Sequence, residues 1–586
     1  MDIFSALNLV GGLALFLYGM SLMGNNLEKM AGGKLEKILE KLTSRKFMAV
    51  LLGVVVTAII QSSSATTVMV VGFVNSGIMA LKQAIGVIMG ANIGTTITSW
   101  ILSLTGIQGD SLLVKLLKPA SFSPVFAVLG IIMIMSGKDD KKKDIGNIFL
   151  GFSILMFGMT SMSDAVSGLS ENETFVSILT LFHNPLLGMA AGALVTAIIQ
   201  SSSASVGILQ ALCLTGSINY AIALPIIMGQ NIGTCITSLL SSIGASKNAK
   251  RAALIHLYFN MIGTILFMAV FYGVNSFVHF SFLNDACTPL GIAVIHSLFN
   301  IVTVIVLYPF DKVLLKLAEL TIKDKGEEKK ENFEYTLDER LLDTPAFAME
   351  RCRTITSSMA LKTGEIIGMS LKQIENYSNE RYEQIKKMED EIDKYEDYIS
   401  AFLVKLSSKN ISNNDSKTMS IILHSINDFE RMSDHAFNIN RIMKDMSKKK
   451  LVFSDYAKKD LKVMCSALTD ITTRTVNIFI REDESAARTI EPLEEIIDKL
   501  NKEAKQKHII RLREGKCTIE LGLLLEDLIT NIERISDHCS NVGIAIIEIR
   551  TDDYGAHEYI KHLNKEEGSF FHEEYLALEK EYQLEK

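Results

Sequence analysis

Apolar residues are spaced in two different ways along this chain. Up to about residue 312 they run in long, almost uncharged blocks. Beyond about residue 345 they recur every three or four positions among Lys, Glu and Asp, the period of an amphipathic helix. The blocks at 7–23, 84–104, 121–136, 145–162, 221–243, 252–274 and 290–309 predict membrane spans, the third of them short. Two blocks break this rule. Residues 47–60 are 14 uncharged positions and residues 68–80 are 13. Each is too short for a hydrocarbon core of about 30 Å, which takes about 20 helical residues. Gln61, Ser62, Ser63 and Ser64 stand between them. The pattern predicts two short helices joined by a break inside the membrane. Polar backbone at that depth is tolerated only where it is buried in protein or lines a cavity.

The same pattern returns. Residues 57–65 and 196–204 carry one identical stretch, Thr-Ala-Ile-Ile-Gln-Ser-Ser-Ser-Ala, offset by 139 (200 minus 61). At the same offset Gly12 answers Gly151, Gly19 answers Gly158 and Gly53 answers Gly192. Downstream, Gly90, Asn92, Gly94 and Thr95 answer Gly229, Asn231, Gly233 and Thr234. One register held over a hundred residues is an internal duplication, of 7–105 and 146–244. Helices broken at corresponding places in two halves point to a transporter's binding site near the midplane.

Charge then orders the loops. Basic residues cluster at 34–46, at Lys82, at 138–143 and at 247–251, whereas 164–173 is acidic. If each hairpin returns to its own side, three crossings separate the repeats, so the second is inverted. With the N-terminus outside, all four basic sites become cytoplasmic and the acidic loop external. Only Lys115 and Lys118 are misplaced. No positive segment precedes the first apolar block, so it is read as a span, not a cleaved signal.

The remaining chain reads as a charged linker, 313–344, and a cytoplasmic helical domain, 345–586. Breaks near 377–379, 407–415, 448–454, 482–485 and 515 give six helices. A second duplication lies within them. Residues 428–435 answer 531–538 at an offset of 103, so one three-helix bundle is repeated. The fold class is therefore all-α. A polytopic membrane protein with inverted repeats and two re-entrant helical hairpins is followed by a soluble six-helix domain of two three-helix bundles.

The candidate chemistry is neutral. Gln61, Ser62, Ser63, Ser64 and Thr66, with Gln200, Ser201, Ser202 and Ser203, offer hydroxyls, amides and free backbone groups. Asn92, Thr95, Asn231 and Thr234 lie one element away, between glycines that suit tight packing or another unwound turn. Helix N-termini at the breaks favour an anion, while the oxygens suit Na⁺. The alternative is that such hydroxyls only bond back to carbonyls four residues earlier and bend the helix. Across 47–80, 84–104, 186–216 and 221–243 there is no Asp, Glu, Arg or Lys. An anion bound there finds no fixed cation, and a buried unpaired charge is costly. A mobile cation must accompany it. Carboxylate proton relays are missing too, which favours Na⁺ over H⁺. Nothing marks an enzyme: Gln-Ser-Ser-Ser-Ala is no nucleophile elbow. The net charge of −7 mixes both halves, no basic tract suggests nucleic acid, and the seven Cys form no Cys-x-x-Cys pair.

The twin Gln-Ser-Ser-Ser and Asn-Ile-Gly-Thr motifs resemble the type II sodium–phosphate cotransporter family over residues 1 to about 310. The resemblance implies that Gln61 to Ser64 and Gln200 to Ser203 form the sites for inorganic phosphate and Na⁺. The second copy departs with Ser205-Val206 in place of Thr66-Thr67, so the halves are expected to bind different ligands. The C-terminal part resembles PhoU, a phosphate-signalling protein, in its two-bundle form. The pairs Glu389/Asp393, Glu430/Asp434, Glu494/Asp498 and Glu533/Asp537 each place two carboxylates on one helical face. The resemblance implies that they hold a divalent metal or iron. The alternative is a solvated acidic face paired with Arg431 and Arg534. The expectation is a multi-pass cell-membrane transporter coupling Na⁺ to phosphate movement. A homodimer and a cytoplasmic signalling partner remain open. So do a phosphate sensor without net transport and a carrier of another small oxyanion.

Overall fold

The computed structural model describes residues 3–31, 45–77, 79–106, 118–136, 140–167, 181–323, 337–409, 411–551 and 570–584. Most of the basic loop (34–44), most of the acidic loop (168–180) and linker residues 324–336 lie outside these. Among the described residues helices are the regular elements, apart from one bridge between Asn219 and Ala286. The chain forms two compact units, residues 1–347 and 348–586.

In the first unit the order is α1 (Ile3–Ala31), α2 (Lys46–Ile60), α3 (Ser63–Asn75), α4 (Leu81–Ser103), α5 (Pro119–Ser136) and α6 (Asp140–Val166). There follow α7 (Pro185–Ile199), α8 (Ser202–Cys213), α9 (Tyr220–Ser241), α10 (Lys247–Val278), α11 (Pro289–Leu307) and α12 (Asp311–Thr321). Among the described residues six helical stretches are long and apolar enough to cross a membrane, built on α1, α4, α6, α9, α10 and α11. The helices at 46–60, 63–75, 121–136, 185–199 and 202–213 are apolar but shorter.

The hairpins break where the sequence predicts, over fewer residues. Ile60 ends α2, Gln61 turns left-handed (φ 58°, ψ 22°), and Ser62 is extended and caps α3. Helix resumes at Ser63, so two of the four motif residues form the break and the others open the next helix. Gln200 has the same torsions (φ 58°, ψ 22°), and Ser201 caps α8. Identical sequence gives identical backbone. A left-handed residue other than Gly costs about 1–2 kcal/mol, which the neighbouring caps and packing must offset.

Glycines set the approach of the other elements. A Cβ on Gly90 would collide with the Val50 carbonyl, one on Gly53 with the Val87 carbonyl, and one on Gly94 with Val54 and Thr57. Residue numbers rise together, so α2 and α4 run parallel, and α3 is the return stroke between them. The second copy repeats this, with Gly229 on Met189, Gly192 on Ile226 and Gly233 on Ala193. We expect Gly90→Ala to cost at least about 1–3 kcal/mol through overpacking. Gly11→Ala, where a Cβ meets nothing within 4 Å, should be nearly neutral. Thermal melts of the detergent-solubilised variants check this.

Helices α1 and α6, equivalent in the duplication, pack antiparallel. Gly12 lies against Gly158 and Gly19 against Gly151. Residue i thus meets the equivalent of j, and j the equivalent of i, as in a two-fold contact. The ends of the unit gather different loops. At one, Lys46 pairs with Asp311 (3.1 Å), and Asn75 accepts from the Ser246 N–H (2.7 Å) and donates to Asp338 (2.7 Å). At the other, Gly106 packs on Pro289, and the Cys287 N–H donates to the Ile218 carbonyl (2.7 Å).

The stretch expected as a linker is structured on both sides of 324–336. Residues 311–321 form α12. Glu339–Asp343 is a short 3₁₀ turn begun by buried Asp338, which accepts from the Arg340 N–H (2.9 Å) and pairs with its guanidinium (2.9 Å). Arg340 also donates to the Ser241 and Ile243 carbonyls. Composition alone cannot separate charges used this way from solvated ones.

Helix α13 (Pro345–Glu375) leads into the second unit. There follow α14 (Asn379–Ser407), α15 (Asn413–Lys449), α16 (Asp455–Arg481), α17 (Ile490–Arg513), α18 (Ile519–Thr551) and α19 (Phe570–Glu581), with a single turn at Glu484–Ala487. Ser378, Ser412 and Ser454 cap their helices, as the breaks suggest. The core is apolar, with Ile422, Phe429, Leu468, Ile497, Leu528 and Ile535 fully or almost fully buried.

Candidate functional site

Each serine run ends in a helix N-terminus. Ser62 accepts from the Ala65 N–H (3.1 Å) and Ser201 from the Ala204 N–H (3.2 Å). The first-turn N–H groups of α3 and α8 have no intrahelical acceptors and carry the positive end of the helix dipole. Ser63, Ser202 and Ser203 are buried, and Ser64 is half-buried. The two breaks meet: Ser64 Oγ donates to the Gln200 carbonyl at 3.5 Å. Hydroxyl and N–H donors beside carbonyl oxygens can serve an oxyanion and a small cation together.

The two copies differ in side-chain bonding. Buried Gln61 accepts from Thr98 Oγ1 at 3.0 Å and donates to the Ala58 carbonyl. Gln200 is exposed. In the first copy Thr57 Oγ1 donates to Thr66 Oγ1 (3.0 Å), which donates to the Ser62 carbonyl (3.0 Å). The equivalent pair, Thr196 and Ser205, is buried, and neither hydroxyl oxygen has a partner. Buried polar atoms are normally bonded, and in this respect the second copy departs from the first. The Thr-to-Ser change at position 205 is the sequence signal for it.

Asn92, Thr95, Asn231 and Thr234 are buried, and all four donate back along their helices. The acceptors are the Ile88, Ala91, Ile227 and Gln230 carbonyls, each at 2.9 Å. Helices α4 and α9 are unbroken here, so the glycines serve tight packing rather than a second unwound turn.

Sequence reading missed a polar column on α10 and α11. His256, Asn260, Thr264, His296, Asn300 and Thr303 are all buried. The Asn260 and Asn300 amides donate to the His256 and His296 carbonyls (3.0 and 2.8 Å). Their Oδ1 atoms, the Thr264 and Thr303 hydroxyls and Gln230 Oε1 are without partners. His256 Nδ1 bonds Ser238 Oγ at 3.1 Å. Gln210, also missed, donates to the Ser99 and Pro289 carbonyls (3.1 Å each). The available signal was the four-residue spacing of His and Asn in two apolar spans.

In the second unit the acidic pairs meet across helices. Carboxylate oxygens of Glu389, Asp393 and Asp434 lie within 4.8 Å of one another, as do those of Glu494, Asp498 and Asp537. Burial, then Asp393 and Asp390, push Glu389 up to about 7. Burial, then Glu491 and Asp498, push Glu494 up to about 8. Burial and neighbouring carboxylates also raise Asp393, Glu430 and Asp537. Glu430 flanks the first triad. Glu533, beside the second, is held by Asn501 and lies 4.0 Å from Lys505. Arg534 lies 3.4 Å from Asp537. Triads of hard oxygen donors with excess negative charge suit a divalent cation.

These shifts predict a pH dependence. A carboxyl whose folded pKa is raised contributes stability below its unfolded pKa and loses it as pH rises through the folded value. Without metal, stability should fall between about 4.5 and about 8 for Glu494. Melting curves at mildly acidic and mildly alkaline pH should show Mn²⁺ stabilising only the alkaline sample. Equal stabilisation at both would rule out a carboxylate-held metal. His435 and His538 are structural instead. They stack at 5.8 Å and bond Asn531 and Asp428 at 2.9 Å, each reaching the other repeat.

Comparison with known proteins agrees with this division. Residues 15–164 and 154–292 each match the family model described as Na+/Pi-cotransporter, and residues 356–443 and 461–546 each match that of the PhoU domain. An Escherichia coli O157:H7 protein named "Putative inorganic phosphate export protein YjbB" is 24% identical over 566 residues, 94% of this chain and 99% of that one. Uncharacterized protein YqeW of Bacillus subtilis is 31% identical over 313 residues, 53% of this chain and 96% of that one. The human sodium-dependent phosphate transport protein 2B is 34% identical over 128 residues, 21% of this chain and 19% of that one.

Proposed function

Because this chain belongs to the Na+/Pi-cotransporter family and carries two PhoU domains, we propose that it couples Na⁺ to the movement of inorganic phosphate across the cell membrane. The observation that carries this is the meeting of the two serine breaks at Ser64 and Gln200, in segments without a charged residue. The helix N-termini, hydroxyls and glutamine amides of Gln61 to Ser64 and Gln200 to Ser203 bind the phosphate oxygens. Na⁺ neutralises the charge. Thr66, Asn92, Thr95, Asn231 and Thr234 offer oxygens to the same phosphate and Na⁺ site, from positions that their own back-bonds fix. The cation sits in the second copy in this reading, which the orphaned Thr196 and Ser205 hydroxyls support.

The repeats are inverted in this reading. The antiparallel contact of α1 with α6 and the parallel runs of α2 with α4 and α7 with α9 support it. So do the end contacts, which join the base of the first hairpin to the loops beyond α9 and α11 and keep the 218–219 segment at the other end. The N-terminus is external and the PhoU domains are cytoplasmic. There the two acidic triads hold a divalent metal or iron, and the domains regulate flux.

Labelled phosphate flux in proteoliposomes tests the proposal. A Na⁺ gradient should drive phosphate against its own gradient. Binding without accumulation would make the protein a sensor. Equal competition by sulfate would make it a general oxyanion carrier. One relative is named for phosphate export, so gradients of both signs are applied.

A further inference from the structure

The second unit contains a cationic cavity that neither the acidic triads nor transport accounts for. Helix α17 ends in a turn at Gly515 (φ 70°), closed by the Lys516 N–H on the Arg511 carbonyl (2.9 Å). The chain then enters α18 through Cys517 and Thr518. A cavity of about 260 Å³ is lined there by Ser454, Arg511, Lys516, Cys517 and Thr518, among others. Two long helices start at its wall, because Ser454 caps α16 and Thr518 Oγ1 accepts from the Leu521 N–H (3.3 Å). Their remaining first-turn N–H groups and dipoles favour an anion. The carboxylates of the same first turns turn away: Asp455 is 95% and Glu520 54% exposed, beside Lys458 and Lys449.

Arg511 supplies the second observation. It is only 9% exposed. Its Nη1 donates to Asp460 at 2.8 Å, but its buried Nη2 has no partner. A guanidinium cannot lose its charge, so a buried donor of this kind calls for an acceptor. A second cavity of about 220 Å³ shares Arg511 and Lys516 and adds Lys459, Lys507 and Tyr456. Arg511 and Lys507 share Asp460 (2.8 and 3.6 Å), and Lys516 lies 2.8 Å from Glu514. Each cavity is below the about 300–1,000 Å³ that drug-sized ligands occupy. The occupant is small, anionic and rich in acceptors.

We propose that this cavity binds a phosphoryl oxyanion, inorganic phosphate or a small phosphomonoester, on Arg511 Nη2, Lys516 and the starts of α16 and α18. The binding would make the second unit responsive to its ligand whether or not the membrane unit transports. Cys517 lines the cavity and reports on it. In the full-length detergent-solubilised protein, alkylation of Cys517 is followed by peptide mass spectrometry, with half-buried Cys465 as internal control. Phosphate above twice its Kd should slow Cys517 labelling at least about threefold, relative to chloride at equal ionic strength. Arg511→Gln should abolish the protection. Lys516→Gln, at an exposed side chain that cannot disturb the core, should weaken it. Stronger protection by glycerol 3-phosphate identifies a phosphomonoester ligand, and stronger protection by phosphate the inorganic ion. Unchanged labelling with both anions overturns the proposal, as does equal protection in both variants.

Discussion

Ser63→Ala and Gln200→Ala should each abolish Na⁺-driven phosphate flux while leaving the protein folded and inserted. Ser63 is the first residue of α3 and not its cap, which is Ser62. Alanine at 63 therefore removes one hydroxyl and keeps the hairpin. Gln200 is left-handed (φ 58°), and alanine there meets no more backbone strain than glutamine does. Losing one hydrogen bond to a charged ligand costs about 1.5–3 kcal/mol, about ten- to more than a hundredfold in binding. With the proposed coupling, transport loses more, because phosphate and Na⁺ would have to be held together. Ser62→Ala is the less clean variant, since it also removes a cap worth about 1 kcal/mol. Uptake is compared at matched expression and matched melting temperature. Normal flux in either variant would move the site away from the two breaks.

The hairpins were legible because 14 apolar residues cannot span a bilayer, and because the motif occurs twice. What the repeat could not show is where its copies differ. A Thr-to-Ser change at 205 looks conservative, yet it separates a bonded hydroxyl pair, Thr57 and Thr66, from an orphaned one, Thr196 and Ser205. The column on α10 and α11 was hidden for another reason. His256 and Asn260 lie outside the duplicated register, and a few polar residues barely change the hydropathy of a 32-residue apolar helix. The acidic pairs were legible as pairs, because four residues apart is one helical face. That Asp434 joins Glu389 and Asp393 is a tertiary fact, set by how α14 packs on α15. Arg511 was not legible at all: in sequence it is one of many basic residues near Gly515.

Single cysteines at the two hairpins should label from opposite sides of the membrane. In a Cys-free background, Asn172→Cys should react with an impermeant thiol reagent on intact cells, and Lys82→Cys only after lysis. The charges argue for this, because Arg45, Lys46 and Lys82 flank the first hairpin while Asp164, Glu171 and Glu173 precede the second. The packing argues for it independently. Helices α1 and α6 are equivalent in sequence but antiparallel in space, with Gly12 on Gly158 and Gly19 on Gly151. Among two-fold axes, only one across the helix direction brings equivalent helices into antiparallel contact. Lys46 meets Asp311 at 3.1 Å, which puts the start of the first hairpin at the same end as the start of α12. An inverted pair has a mechanical consequence. Under the proposed function each half would adopt the other's shape, exchanging inward-open for outward-open states around the proposed site at Ser64 and Gln200. Labelling of both cysteines from one side would remove that exchange, and with it the reason for placing phosphate between the two breaks.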